Sequence, residues 1–86
     1  MADRTEVLET VREVVSDVLG LSVSEISADS RFVEDLGAES IQSVELVAAF
    51  EEAFEIEMDE DAALQVKTVD GAVDFICDAL DEEPAA

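Results

Sequence analysis

The spacing of its apolar residues constrains this chain most. From Thr5 to Leu19, Val7, Leu8, Val11, Val14, Val15, Val18 and Leu19 recur at steps of three and four, with Glu6, Glu9, Arg12, Glu13 and Asp17 between them. That period gathers the apolar side chains on one stripe of an α-helix, whereas a strand would scatter them over both faces. Asp3 and Glu6 have the spacing of a capping box at the front of this helix, and Gly20 is the residue type that stops helices.

The same period returns twice. A second helix is expected from about Ser40 to Glu55, with Ile41, Val44, Val47, Ala48, Phe50 and Phe54 as its apolar stripe and Glu45, Glu51, Glu52 and Glu55 on or beside the other face. Thr68 reads as the cap of a last helix carrying Val69, Val73, Ile76, Cys77 and Leu80 on one side, and a short turn is expected over Glu60–Leu64. Between Gly20 and Ala38 no period is sustained. This stretch reads as a long loop with one turn near Ser24, pinned by Leu21, Val23, Ile26, Phe32, Val33 and Leu36. With no strand alternation and no internal repeat, the expectation is an all-α fold: a small up-and-down bundle of three longer helices plus one short helix, with the long loop between the first and second. Residues 1–80 form the domain and residues 81–86 a flexible C-terminal tail.

Size and charge then bound the function. A chain of 86 residues buries only about 60% of the surface its unfolded form exposes, which leaves no room for a deep enzyme cleft. The net charge is −20, from 24 acids against Arg4, Arg12, Arg31 and Lys67. Such a surface repels nucleic acid and anionic membranes and points to basic partners. The apolar content of 49% and its periodicity separate the chain from disordered acidic sequences. No uncharged stretch approaches the roughly 20 residues of a membrane span. One cysteine, Cys77, cannot form an internal disulfide, and the first residues lack the pattern of a secretory signal. A cytoplasmic monomer is expected.

The chain has no histidine, and Cys77 falls on the apolar stripe of the last helix, so catalysis by the protein's own side chains is not expected. Nor is a metal site: Asp59-Glu60-Asp61 lacks the alternating ligands, the sixth-position glycine and the twelfth-position glutamate of a calcium loop. Ser40 follows the small-residue approach Gly37-Ala38-Glu39 into the second helix. A phosphate ester there would meet unpaired N–H groups and the positive end of the helix dipole. On local spacing alone, Ser40 equally suits a plain helix cap. From Phe32 to Val66 there is no base, while Glu34, Asp35, Glu39, Glu45, Glu51, Glu52, Glu55, Glu57, Asp59, Glu60 and Asp61 concentrate negative charge. That is either a solvated face or one that steers basic partners.

The run Phe32-Val33-Glu34-Asp35-Leu36-Gly37-Ala38-Glu39-Ser40-Ile41 resembles the attachment segment of acyl carrier proteins, and Val44-Glu45-Leu46-Val47 continues the likeness. Phe50-Glu51-Glu52, Phe54-Glu55-Ile56-Glu57 and Lys67-Thr68-Val69 follow in family order and spacing, so the resemblance covers nearly all of residues 4–80. It implies that a transferase couples 4'-phosphopantetheine to Ser40, and that the arm's thiol carries acyl intermediates of fatty acid, lipid or polyketide synthesis as thioesters. The protein would then deliver cargo without catalysing anything. By the same resemblance, Glu39, Ile41, Glu45, Glu51 and Glu52 would meet the phosphopantetheinyl transferase and the basic patches of acyl-chain synthases or transferases. Val33, Val44, Val47, Phe54, Ala63, Val66 and Val69 would line an acyl cavity. Each of these seven also reads as an ordinary core residue. Departures from the usual pattern are Glu39 for Asp, Ile41 for Leu, Gln42 and Ala53 where acids are frequent, and Asp59 for a common Pro; they point to a specialised pathway. Two alternatives stay open: an acidic interaction module that never receives the arm, and a peptidyl or aminoacyl carrier.

Overall fold

Helix α1 spans Arg4–Leu19 in the computed structural model, which describes residues 3–82. Its every-fourth valines, Val7, Val11 and Val15, are buried, as the period requires. Asp3 caps it by accepting the Thr5 N–H at 2.9 Å, in place of the reciprocal pairing with Glu6 that the spacing suggests. Gly20 closes it at φ 69°, a left-handed conformation that glycine adopts without a Cβ penalty. A 3₁₀ turn over Val23–Glu25 follows, then α2 (Ser40–Phe54), α3 (Glu60–Ala63) and α4 (Val69–Glu82). Helix α4 includes Asp81 and Glu82, two of the residues assigned to the tail from the sequence; residues 83–86 lie outside the described residues. Among the described residues there is no strand, and Arg31 and Thr68 form an isolated antiparallel bridge.

The long loop from Gly20 to Glu39 is held mainly by backbone bonds. The Arg12 guanidinium on α1 donates to the Ile26 carbonyl at 2.8 Å and to the Val23 carbonyl at 2.9 Å, anchoring the 3₁₀ turn. Farther on, the loop caps α4. The Val69 N–H donates to the Ser30 carbonyl (3.0 Å) and the Asp70 N–H to the Ala28 carbonyl (2.9 Å), while the Gly71 N–H donates to Thr68 Oγ1 (3.0 Å). These bonds satisfy helix-start N–H groups that have no partner within the helix. Ile26 and Phe32 are the loop's buried pins, whereas Val23 and Val33 are 37% and 62% exposed. Sequence apolarity alone put all four inside. Backbone capping fixes this segment so fully that it needs fewer side-chain anchors.

Helix α1 is the element against which both α2 and α4 pack. The core joins its valines to Leu46 and Phe50 of α2, to Ile26 and Phe32 of the loop, and to Val69, Val73 and Ile76 of α4. Arg4 also reaches Asp70 and Asp74 across the exposed seam between α1 and α4. Cys77 is half-buried beside this core, and burial pushes its thiol pKa up. It therefore packs as a small hydrophobe rather than standing ready as a thiolate.

Helix α2 departs from its expected stripe. Leu46, Val47 and Phe50 are buried, while Ile41 is 70% and Val44 43% exposed. The helix is apolar on two faces, so spacing could not tell which one meets α1. Leu46, Val47 and Phe50 lie at steps of one and three on the inner side, and Ile41, Val44 and Ala48 form a second, outward strip at i, i+3 and i+7.

Candidate functional site

Two backbone bonds determine where Ser40 sits. The Phe32 N–H donates to the Lys67 carbonyl (2.9 Å), and the Phe32 carbonyl accepts the Ala38 N–H (2.8 Å). The turn between them is closed by Arg31, whose backbone N–H donates to Asp35 Oδ2 at 2.8 Å and whose guanidinium pairs with Glu34 and Asp35. The Arg31 side-chain bond, and then its backbone bond, hold the Asp35 carboxyl below the ordinary carboxylate range. Gly37 supplies φ 71° at the exit of this turn, and Ala38 is buried. The chain therefore enters α2 from a fixed point, with Ser40 exposed in its first turn.

Ser40 is not the cap. Glu39 occupies that position in extended conformation, and its backbone N–H donates to Gln42 Oε1 at 2.9 Å. Glu39 and Gln42 thus act together: the Gln42 amide oxygen satisfies the backbone N–H of the cap residue. The first bond of the helical ladder runs from the Ser43 N–H to the Glu39 carbonyl (3.0 Å), so the N–H groups of Ser40, Ile41 and Gln42 precede it. The first turn also contains no acid. An exposed hydroxyl stands where the helix dipole and the first-turn N–H groups of Ser40 and Ile41 favour a phosphate group.

Around Ser40 the surface is acidic and locally apolar. Glu39, Glu45 and Glu52 are exposed and flank the outward strip of Ile41, Val44 and Ala48. Glu51, expected on the same face, is half-buried, and its carboxylate accepts the Met58 N–H at 2.9 Å. It fastens the segment after α2, which leaves the helix at Glu55 in a left-handed turn of φ 55°. Val44 and Ala48 belong to this outer surface. The breadth of the apolar stripe on α2 was the signal that could have revealed them.

Behind this surface lies a cavity of about 90 Å³. Its walls come from α2 (Ser43, Leu46, Val47, Phe50), α4 (Ala72, Phe75), α3 with its following turn (Ala63, Leu64, Val66, Lys67), Met58 and the Arg31–Glu34 turn. Of the seven residues proposed from the sequence, Val33, Val47, Ala63 and Val66 are among its walls. Val44, Phe54 and Val69 are not: Val44 faces outward, Phe54 is half-buried against the core, and Val69 is fully buried within it. Position in chain order could not separate a core residue from a wall residue, because that distinction depends on how α2 and α4 are turned about α1.

Comparison with known proteins agrees with this geometry. The family model described as the phosphopantetheine attachment site matches residues 9–76. An acyl carrier protein of Guillardia theta is 48% identical over 71 residues, which are 83% of this chain and 88% of that protein.

Proposed function

Because the chain belongs to the acyl carrier proteins and contains their phosphopantetheine attachment domain, we propose that Ser40 is the attachment point and that the protein carries acyl intermediates between enzymes of fatty acid, lipid or polyketide synthesis. The observation that carries this reading is the separation of cap from serine: Glu39 and Gln42 complete the helix start and leave the exposed Ser40 hydroxyl free for esterification. The cofactor of this family, 4'-phosphopantetheine, supplies a thiol on which an acyl group is held as a thioester.

The chain's own residues do the rest. The first-turn N–H groups of α2 favour a phosphodiester at Ser40. Phe32, pinned between Lys67 and Ala38, keeps that point fixed beside the cavity. Leu46, Val47, Phe50, Ala63 and Ala72 offer apolar walls that exclude water from a short acyl chain. Outside, Glu39, Glu45 and Glu52 attract the basic patches of a phosphopantetheinyl transferase and of acyl-chain synthases or transferases, while Ile41, Val44 and Ala48 provide a small apolar contact. Glu51 belongs to the same set of acids and also supports this face by accepting the Met58 N–H. The cytoplasm, where coenzyme A is available and Cys77 stays reduced, is the compartment that suits this role.

Incubation with coenzyme A and a phosphopantetheinyl transferase tests the assignment by intact mass. Wild type should gain one arm and Ser40→Ala none. Wild type left unmodified by several transferases would favour the interaction module without an arm.

A further inference from the structure

A second concavity, an open groove of about 250 Å³, lies between α1 and α2. Val14, Asp17 and Val18 of α1 line it on one side, and Ala49, Glu52 and Ala53 of α2 on the other. Each helix thus contributes an apolar residue, an acid and an apolar residue at i, i+3 and i+4, the spacing that keeps three residues on one face. At about 100° per residue, Ala49 stands about 160° around α2 from the cavity wall Val47, and Glu52 about 40° from Ala48 of the outward strip. The groove is therefore separate from the cavity and continuous, through Glu52, with the acidic face beside Ser40.

Its floor is apolar although its surroundings are not. Val14 and Val18 are half-buried and pack against the core. Ala53 is exposed within the run Glu51-Glu52-Ala53-Phe54-Glu55, and with Ala49 it leaves room that larger side chains would fill. Charge then narrows what can cover this floor. Asp17 and Glu52 are exposed, and among the described residues neither makes an ion pair: Arg4 pairs with Asp70 and Asp74, and Arg31 with Glu34 and Asp35. Arg12 gives its guanidinium to loop carbonyls. A second copy of the chain, at net charge −20, would set these acids against like charges, and the last residues of the chain add Glu83 and no base. The complementary occupant brings base and an apolar side chain together. From Val14 to Val18 the helix advances about 6 Å, which is room for one or two side chains rather than a whole helix face.

The geometry points to a second docking site: the α1–α2 groove receives an apolar side chain of a partner protein, whose neighbouring Arg or Lys residues meet Asp17 and Glu52. The apolar anchor displaces water from the groove, and anchors of this kind concentrate the energy of an interface. The flanking bases meet acids that have no competing partner, which adds specificity and speeds encounter. This contact needs neither Ser40 nor the arm.

The test titrates the isotope-labelled full chain with a short synthetic peptide, a central leucine between arginines, and follows the backbone amide shifts by NMR. Shifts should be largest at Val14, Val18, Ala49 and Ala53. Ala53→Leu, which fills the groove without changing charge, should weaken binding about tenfold, and so should Asp17→Lys or serine in place of the peptide's leucine. Asp78→Lys, the same charge change on an exposed position of α4, should weaken it less than about twofold, and the spectrum of each variant reports its fold. Undiminished binding to Ala53→Leu, equal losses in Asp17→Lys and Asp78→Lys, or shifts that leave the groove untouched would overturn the inference. Ser40→Ala should bind the peptide as wild type does, so a failure of the carrier reading would leave this result unmoved.

Discussion

Replacing Ala72 with leucine fills the space assigned to cargo while leaving Ser40 untouched. Ala72 is 4% exposed on α4 and lines the cavity together with Leu46 and Val47 of α2. An apolar cavity of about 150 Å³ accepts benzene, so the roughly 90 Å³ here suits about four carbons. A butyryl group would bury about three carbons beyond its carbonyl, worth at most ~2.4 kcal/mol at ~0.8 kcal/mol per methylene, or about 50-fold protection of the thioester. Leucine in place of alanine adds about as many carbons as the butyryl tail and competes for the same space. The assay compares hydroxylamine cleavage of butyryl on holo wild type, on holo Ala72→Leu and on coenzyme A. Protection approaching the 50-fold limit is expected in wild type, and almost none in the variant. The variant's melting temperature should hold or rise, because a filled void regains contacts; if it falls by several degrees, Ala63→Leu on α3 is the companion substitution. A folded, arm-bearing variant that protects butyryl as well as wild type does would refute the assignment of this cavity to cargo.

Two further outcomes follow from the scaffold. Arg12→Met leaves the Ile26 and Val23 carbonyls without their guanidinium donor; after discounting for partial exposure, the loss is about 2 kcal/mol, a fall in melting temperature of roughly 10 °C by calorimetry. Burial raises the Cys77 thiol pKa in the folded state, so the stability tied to its protonated form is fully present below the unfolded value of about 8.5 and is lost as pH rises beyond it. Urea titrations should therefore show stability declining above about pH 8.5 in wild type and declining less in Cys77→Ala.

The helices were legible because each carries its own period and stops. Gly20 ends α1, and Thr68 opens α4 through its hydroxyl. The loop from Gly20 to Glu39 was legible only as a loop. Its placement depends on carbonyls of Ala28, Ser30 and Lys67 paired with distant N–H groups, and a backbone carbonyl leaves no mark on side-chain identity. On α2, apolar residues on two faces hid the division between the buried Leu46–Val47–Phe50 side and the outward Ile41–Val44–Ala48 strip. At the candidate site, Ser40 stood out through its neighbours, but that Glu39 rather than Ser40 caps the helix is visible only in the observed Glu39–Gln42 bond. Glu51 illustrates the reverse case. Its charge placed it with the partner-facing acids, and its bond to the Met58 N–H adds a structural task that charge alone did not reveal.

Protein isolated from its native host offers the most direct test of the central claim. Trypsin cuts after Arg31 and Lys67 with no base between them, so Ser40 and Ser43 fall in one peptide, Phe32–Lys67. Fragmentation mass spectrometry of that peptide should find one phosphopantetheine, with or without an acyl group, on Ser40 and an unmodified Ser43. A bare Ser40 in fully active protein, or an arm on any other residue, would contradict the account.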